Sequence, residues 1–152
     1  MRRSGAVLRW MLTIFIVGVA VQFFLAGLGV FKVQHASDHG TVGDKQFGDF
    51  FDPHVVLGNV LFIVAVLVFV AGLIARVGRP RIFALLALPI LVILQSVFAN
   101  TGPPWFRALH VLNAFVIAGL AGTQTGMAWR EYRAGQAAPP PSAADAPADA
   151  AG

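Results

Sequence analysis

Four stretches of this chain contain no aspartate, glutamate, lysine or arginine: residues 10–31, 53–75, 82–106 and 108–129, which are 22, 23, 25 and 22 residues long. About 20 apolar residues cross the hydrocarbon core of a bilayer as a helix. Only 12% of the 152 residues are charged and 57% are apolar, whereas a soluble domain carries about 25% charged residues. The runs therefore predict an all-α integral membrane four-helix bundle, with helices over about 10–31, 53–75, 82–100 and 106–129. Residues 1–9 are left as a basic lead and 131–152 as a tail. That tail is mostly Ala, Pro, Gly, Ser and Asp, a composition too poor in apolar surface to fold, so a disordered cytoplasmic tail is expected.

Basic residues set the expected orientation. Arg2, Arg3, Arg9, Arg76, Arg79, Arg81, Arg130 and Arg133 flank the spans on one side, against Lys32, Lys45 and Arg107 on the other. The positive-inside rule then puts both termini in the cytoplasm of a bacterial plasma membrane. The first run is longer than the h-region of a cleaved signal peptide and no A-x-A site follows it, so it reads as a signal anchor. The basic residues anchor helices and form no basic run on a soluble surface, so nucleic acid is not an expected partner. With no cysteine in the chain, disulfides, thiolate catalysis, iron–sulfur clusters and covalent haem attachment are excluded.

Two motifs repeat. Gln22-Phe23-Phe24-Leu25-Ala26 is followed by His54 and Gly58, and Gln95-Ser96-Val97-Phe98-Ala99 by His110 and Ala114. Each half carries Q-x-x-[LF]-A and then a histidine with a small residue four places on. Helices one and two thus match helices three and four as two parallel repeats, each entering the membrane from the same side. The Gln-to-His spacing differs because the first half has a long outer loop, about 33–52, with His35, Asp38, His39 and three further aspartates. That loop reads as solvated or as a partial metal site. Asp52-Pro53 looks like a helix start, with an Asp cap and Pro at the first position.

The two-fold arrangement puts helices two and four on a diagonal of the bundle. His54 and His110 then face each other at one depth. Ionisable residues inside membrane spans point to function, and imidazole is a natural axial ligand of haem iron. On helix four, His110, Ala114, Ala118, Gly122 and Gly126 recur every four residues, leaving room beside the backbone for a flat ring; Gly58 does the same after His54. Haem b with His54 and His110 as metal ligands is the resulting expectation. Small residues at this spacing also mark close helix packing or a homo-oligomer. Gln22 and Gln95 either hold helices together or contact a haem substituent or a quinone. Asn59 and Asn113 orient neighbours or pack. No acidic residue lies within a span, which argues against proton-coupled transport.

These residues resemble a known family. A four-helix bundle with one histidine on helix two and one on helix four is similar to one half of the haem A synthase type, most closely from Leu94-Gln95 to Leu109-His110 and on to Ala114; more broadly the chain resembles small four-span proteins of actinobacteria. The likeness covers about residues 10–130 and implies His54 and His110 as axial ligands. Haem A synthases have two such bundles, with a glutamate three residues before the helix-two histidine and an arginine directly after it. Phe51 and Val55 stand there in this chain, so the resemblance does not extend to substrate hydroxylation. What remains is electron transfer or haem handling with a membrane redox partner.

Overall fold

The computed structural model describes residues 2–137; most of the expected tail, 138–152, lies outside the described residues. Four helices follow one another: α1 (Arg2–Asp38), α2 (Asp44–Ile74), α3 (Arg79–Asn100) and α4 (Pro104–Ala137). All four are long and apolar enough to cross a membrane, and the protein is a multi-pass, all-α membrane protein. Short connections make the helices run up and down in turn. Each packs on its two neighbours in the ring α1-α2-α3-α4, and neither diagonal pair makes a close backbone approach. Helices α2 and α4 therefore face each other across the bundle axis.

The helices run farther than the apolar stretches alone predict. α1 takes in the basic lead and continues through Asp38, and α2 begins at Asp44. The expected loop over 33–52 shrinks to residues 39–43. Pro53, read from sequence as the first residue of a helix, lies inside α2. Local pairings explain the early start. Gly43 is an extended N-cap, Asp44 sits in the first turn, and Lys45 pairs with Asp49 one turn on. Phe51 packs on Phe47 and lies against Gly29 of α1, where any Cβ would stand 2.7 Å from the ring. With the hairpin closed this way, Pro53 costs one donor toward Asp49, a loss a packed helix tolerates. At the other end α4 extends to Ala137, so the first seven residues of the expected tail are helical.

The connection from α2 to α3 is tight. Arg76 adopts φ 53°, and Arg76 and Val77 donate their N–H groups back to the carbonyls of Leu73 and Gly72. This is a Schellman closure with arginine where glycine is usual.

Buried apolar side chains occupy only one half of the bundle. They are Leu8, Leu12, Phe15 and Val19 on α1, Leu61, Ala65, Val68 and Ala71 on α2, Leu85 and Leu88 on α3, and Ile117, Ala121 and Ala128 on α4. Their spacing of three and four residues puts one stripe per helix against the axis. All of them lie toward the end that carries the termini. Outward-facing Val17, Phe24, Ile63, Phe83 and Phe115 are large and exposed, as expected of a surface solvated by lipid. In the opposite half no apolar side chain larger than the hydrogen of Gly29 is buried, and the axis there is bordered by polar groups.

Candidate functional site

Those polar groups form two matching clasps. In the first, Gln22 Nε2 on α1 donates to the His54 carbonyl on α2 at 2.7 Å. His54 Nδ1 in turn lies 3.2 Å from the Gln22 carbonyl. In the second, Gln95 Nε2 on α3 donates to the His110 carbonyl on α4 at 2.8 Å, and His110 Nδ1 lies 3.0 Å from the Gln95 carbonyl. A carbonyl only accepts, so each Nδ1 is the protonated nitrogen and donates. In the neutral ring the lone pair is then on Nε2. Each glutamine thus fixes both the tautomer and the ring direction of its histidine through a backbone carbonyl.

The two imidazoles meet across the diagonal, with ring centroids 6.1 Å apart and planes inclined at 54°. Two imidazole nitrogens each about 2 Å from one metal on a common axis place their ring centroids about 6 Å apart. The donor set and spacing therefore fit a metal held from both faces. The half of the bundle where they meet has no packed apolar plug. Both histidines are half-buried, and Phe23 and Phe115 close the α1–α4 seam beside them at 5.4 Å. Among the described residues no cluster of three or more His, Cys, Asp or Glu side chains could hold a metal ion.

The clasps differ in one respect. Asn113, one turn past His110 and 7% exposed, donates from Nδ2 to Gln95 Oε1 at 2.5 Å and to the Leu91 carbonyl at 2.8 Å. The same register after His54 holds Leu57. Gln22 Oε1 is buried there without a partner. Asn113 is thus a supporting residue, while Asn59 is exposed and joins no clasp.

The small residues divide. A Cβ on Gly58 would stand 3.1 Å from Gln22 Nε2, so this glycine lets the amide reach the His54 carbonyl. Ala114, its counterpart, and Ala118 are half-buried. Farther along, Gly122 is exposed and a Cβ on it would meet nothing within 4 Å. Four residues advance a helix by about 40° beyond a full turn, so the strip leaves the axis within three steps. The face that stays inside is Asn113, Ile117, Ala121, Gln124 and Ala128. The expected continuous small-residue bed is therefore confined to Ala114 and Ala118. On the distal hairpin the His35 and His39 rings lie 4.6 Å apart, tilted by 49°, and among the described residues no third ligand joins them.

Two arginines read from sequence as interfacial anchors are buried instead. Arg9 lies under Tyr132, Trp129 and Trp10, with its guanidinium 3.7, 4.7 and 6.0 Å from the ring centroids. Arg81 pairs with Glu131. Spacing alone does not distinguish Arg81 from the exposed Arg76 and Arg79.

The fold and site define a four-helix membrane protein with paired, carbonyl-anchored histidines in its less packed half. Residues 22–102, just over half of the chain, match a family of unknown function (DUF6220), and the protein belongs to that family. The match begins at Gln22, contains His54 and Gln95, and ends before His110. No curated protein and no solved structure matches the chain, and the likeness to haem A synthases has no counterpart in these comparisons.

Proposed function

We propose that this is a b-type haem protein of a bacterial plasma membrane, with His54 and His110 as the two axial ligands and a role in electron transfer or haem handling. One observation carries the reading: both histidines donate Nδ1–H to a glutamine carbonyl, which leaves Nε2 of each as the free nitrogen, and the two rings stand 6.1 Å apart across the diagonal. A carbonyl that accepts from the far nitrogen of a ligating imidazole fixes its tautomer and raises its basicity. His54 and His110 would hold the group between α2 and α4. When bound, haem supplies a reversible one-electron change, and two histidine ligands leave no open position for oxygen chemistry. The chain's own residues hold and orient. Gln22 and Gln95 fix the imidazoles, Asn113 fixes Gln95, and Ala114 keeps the space beside His110 small-sided. The two clasps support reading α1–α2 and α3–α4 as parallel repeats. The excess of basic residues at the terminal end supports cytoplasmic termini, with the site toward the outer leaflet.

The Nε2 groups of both glutamines are engaged with backbone carbonyls, which favours positioning over donation to a quinone. A second reading, self-association through helix packing, draws on Gly119 and Gly122, where an added Cβ would meet nothing.

The deciding experiment is an oxidised and dithionite-reduced absorption spectrum of the purified protein made with ample haem, with His54→Ala and His110→Ala alongside. A Soret and α-band pattern that shifts on reduction and is lost in both variants is expected. A featureless visible spectrum from correctly folded wild type overturns the proposal.

A further inference from the structure

At the end that carries the termini, far from the histidines, a groove of about 570 Å³ opens between the α2–α3 turn, the first turn of α3 and the last turns of α4. Its polar lining is Arg81, Gln124 and Glu131, and Val77, Ala84 and Met127 supply apolar wall. Arg81 and Gln124 are 8% and 6% exposed. Both are incompletely satisfied: Arg81 Nε and Gln124 Oε1 are buried without a hydrogen-bond partner. The counter-charge on Arg81 comes from Glu131, whose two carboxylate oxygens share the single nitrogen Nη1 at 2.5 and 2.7 Å. Its side chain is 62% exposed.

This is an unequal pair. A guanidinium takes an oxyanion best through two parallel N–H groups, and here one nitrogen takes both oxygens. The second Nη reaches only the Gln124 carbonyl, at 3.4 Å. A buried cation requires an anion, but the anion in place is a solvent-facing carboxylate near the end of a helix, which another oxyanion can displace. The uncapped N-terminus of α3, with Gly78 at the N-cap and Arg79 beside it, adds positive potential at the same spot. The level in the membrane identifies the source of the oxyanion. Glu131 lies between Trp129 and Tyr132, which pack edge-to-face on each other, and Trp10 of α1 packs on Trp129. Tryptophan and tyrosine gather where headgroups begin. The apolar wall suits the glycerol and first acyl carbons of a lipid and has nothing to offer a free phosphate.

We propose that this groove binds the headgroup of an anionic phospholipid, whose phosphate displaces the Glu131 carboxylate from Arg81. A hydroxyl-bearing headgroup that enters once Glu131 has swung away then donates to Gln124 Oε1, a buried acceptor with no partner in the chain. Glu131 is a competitor for the site and holds Arg81 neutralised when no lipid is bound.

The test uses the full-length chain in detergent, titrated with phosphatidylglycerol, phosphatidylcholine or glycerol 3-phosphate, and reads retained lipid by native mass spectrometry and stability by thermal unfolding. Phosphatidylglycerol should be retained about fivefold over phosphatidylcholine, the preference worth one basic side chain at a membrane surface. Glu131→Gln should raise that preference by removing the rival carboxylate. Ala84→Phe, which fills the groove and leaves every charge in place, should bring the ratio to one. Equal retention of the two lipids by wild type, or a preference that survives Ala84→Phe, overturns the proposal. So does a Glu131→Gln protein with an unchanged preference. Stabilisation by glycerol 3-phosphate at the concentration where phosphatidylglycerol acts would reassign the groove to a soluble organophosphate.

Discussion

Asn113→Leu is the sharpest probe of the paired clasps, because the protein already contains its control. Asparagine and leucine have nearly the same shape, and Leu57 holds the corresponding place in the first half. The substitution removes two hydrogen bonds, to Gln95 Oε1 and to the Leu91 carbonyl. Leu91's carbonyl keeps its helical partner, so its loss is small. Gln95 Oε1 becomes an orphan at a position where Asn113 is 7% exposed. In a soluble core an orphaned acceptor costs about 1–3 kcal/mol, but side-chain hydrogen bonds inside membranes average only about 0.6 kcal/mol because the unfolded chain finds other partners there. Counting one full loss and one partial loss, Asn113→Leu should destabilise by about 1–1.5 kcal/mol. Leu57→Asn should act oppositely, giving Gln22 Oε1 the donor it lacks and adding about 0.5–1 kcal/mol. Both are read from reversible unfolding in mixed detergent micelles, each measured also in a Gln→Leu background of its own half so that the coupling is isolated. Stability unchanged to within about 0.3 kcal/mol in Asn113→Leu, or a coupling to Gln95 indistinguishable from zero, would refute the reasoning.

Other substitutions test the remaining structure. Gly58→Ala should cost about 0.5–1 kcal/mol by crowding the Gln22 amide, whereas Gly122→Ala, open on all sides, should gain a similar amount from helix propensity alone; thermal melts of the two should move in opposite directions. Glu131→Leu should destabilise more than Arg81→Leu, because the first leaves a buried cation without its anion and the second leaves only an exposed carboxylate. Guanidinium–ring contacts are worth about 0.5–2 kcal/mol, so Tyr132→Leu, which removes the ring nearest Arg9, should lose an amount in that range, and a change too small to measure would mean the stack is incidental.

Much of the architecture was legible because lipid imposes it. Uncharged runs of sufficient length have to be helices, and a cyclic order of four leaves α2 and α4 diagonal. The matched motifs singled out the four residues that form the clasps, but the spacing did not say that each glutamine engages the backbone of its own histidine. Three things were not legible. The distal extension of α1 and α2 depends on Phe51 closing over Gly29, a contact between residues 22 positions apart that no local pattern records; without it Asp52-Pro53 reads as a start. The drift of the small-residue strip depends on how α4 is rotated against its neighbours, and the spacing of four alone could not say where it leaves the axis. Arg81 has the same identity as the exposed Arg76 and Arg79 near it, and nothing local marks Arg9; burial is explained only once Trp129, Tyr132 and Glu131 are brought across from α4.

The uneven distribution of the core carries an argument of its own. A bundle held by packing alone would fill its axis along the whole length, since each unfilled methyl-sized space costs about 1 kcal/mol. Here the buried apolar stripe stops at Val19, Leu61, Leu88 and Ile117, and the next residues toward the axis are Gln22, Leu57, Gln95 and Asn113. At this level side-chain-to-backbone bonds replace apolar packing and hold α1 to α2 and α3 to α4. They do not join the two pairs. Across the diagonal the two imidazoles meet, and Phe23 and Phe115 join α1 to α4. A group placed between the imidazoles would add contacts to this half and none to the packed half, where the four stripes interlock. The consequence is directional: a ligand bridging His54 and His110 should slow amide exchange on α2 near Leu57 and α4 near Asn113 far more than near Val68 or Ala121. Uniform protection along the helices would mean that the two halves are not mechanically separate.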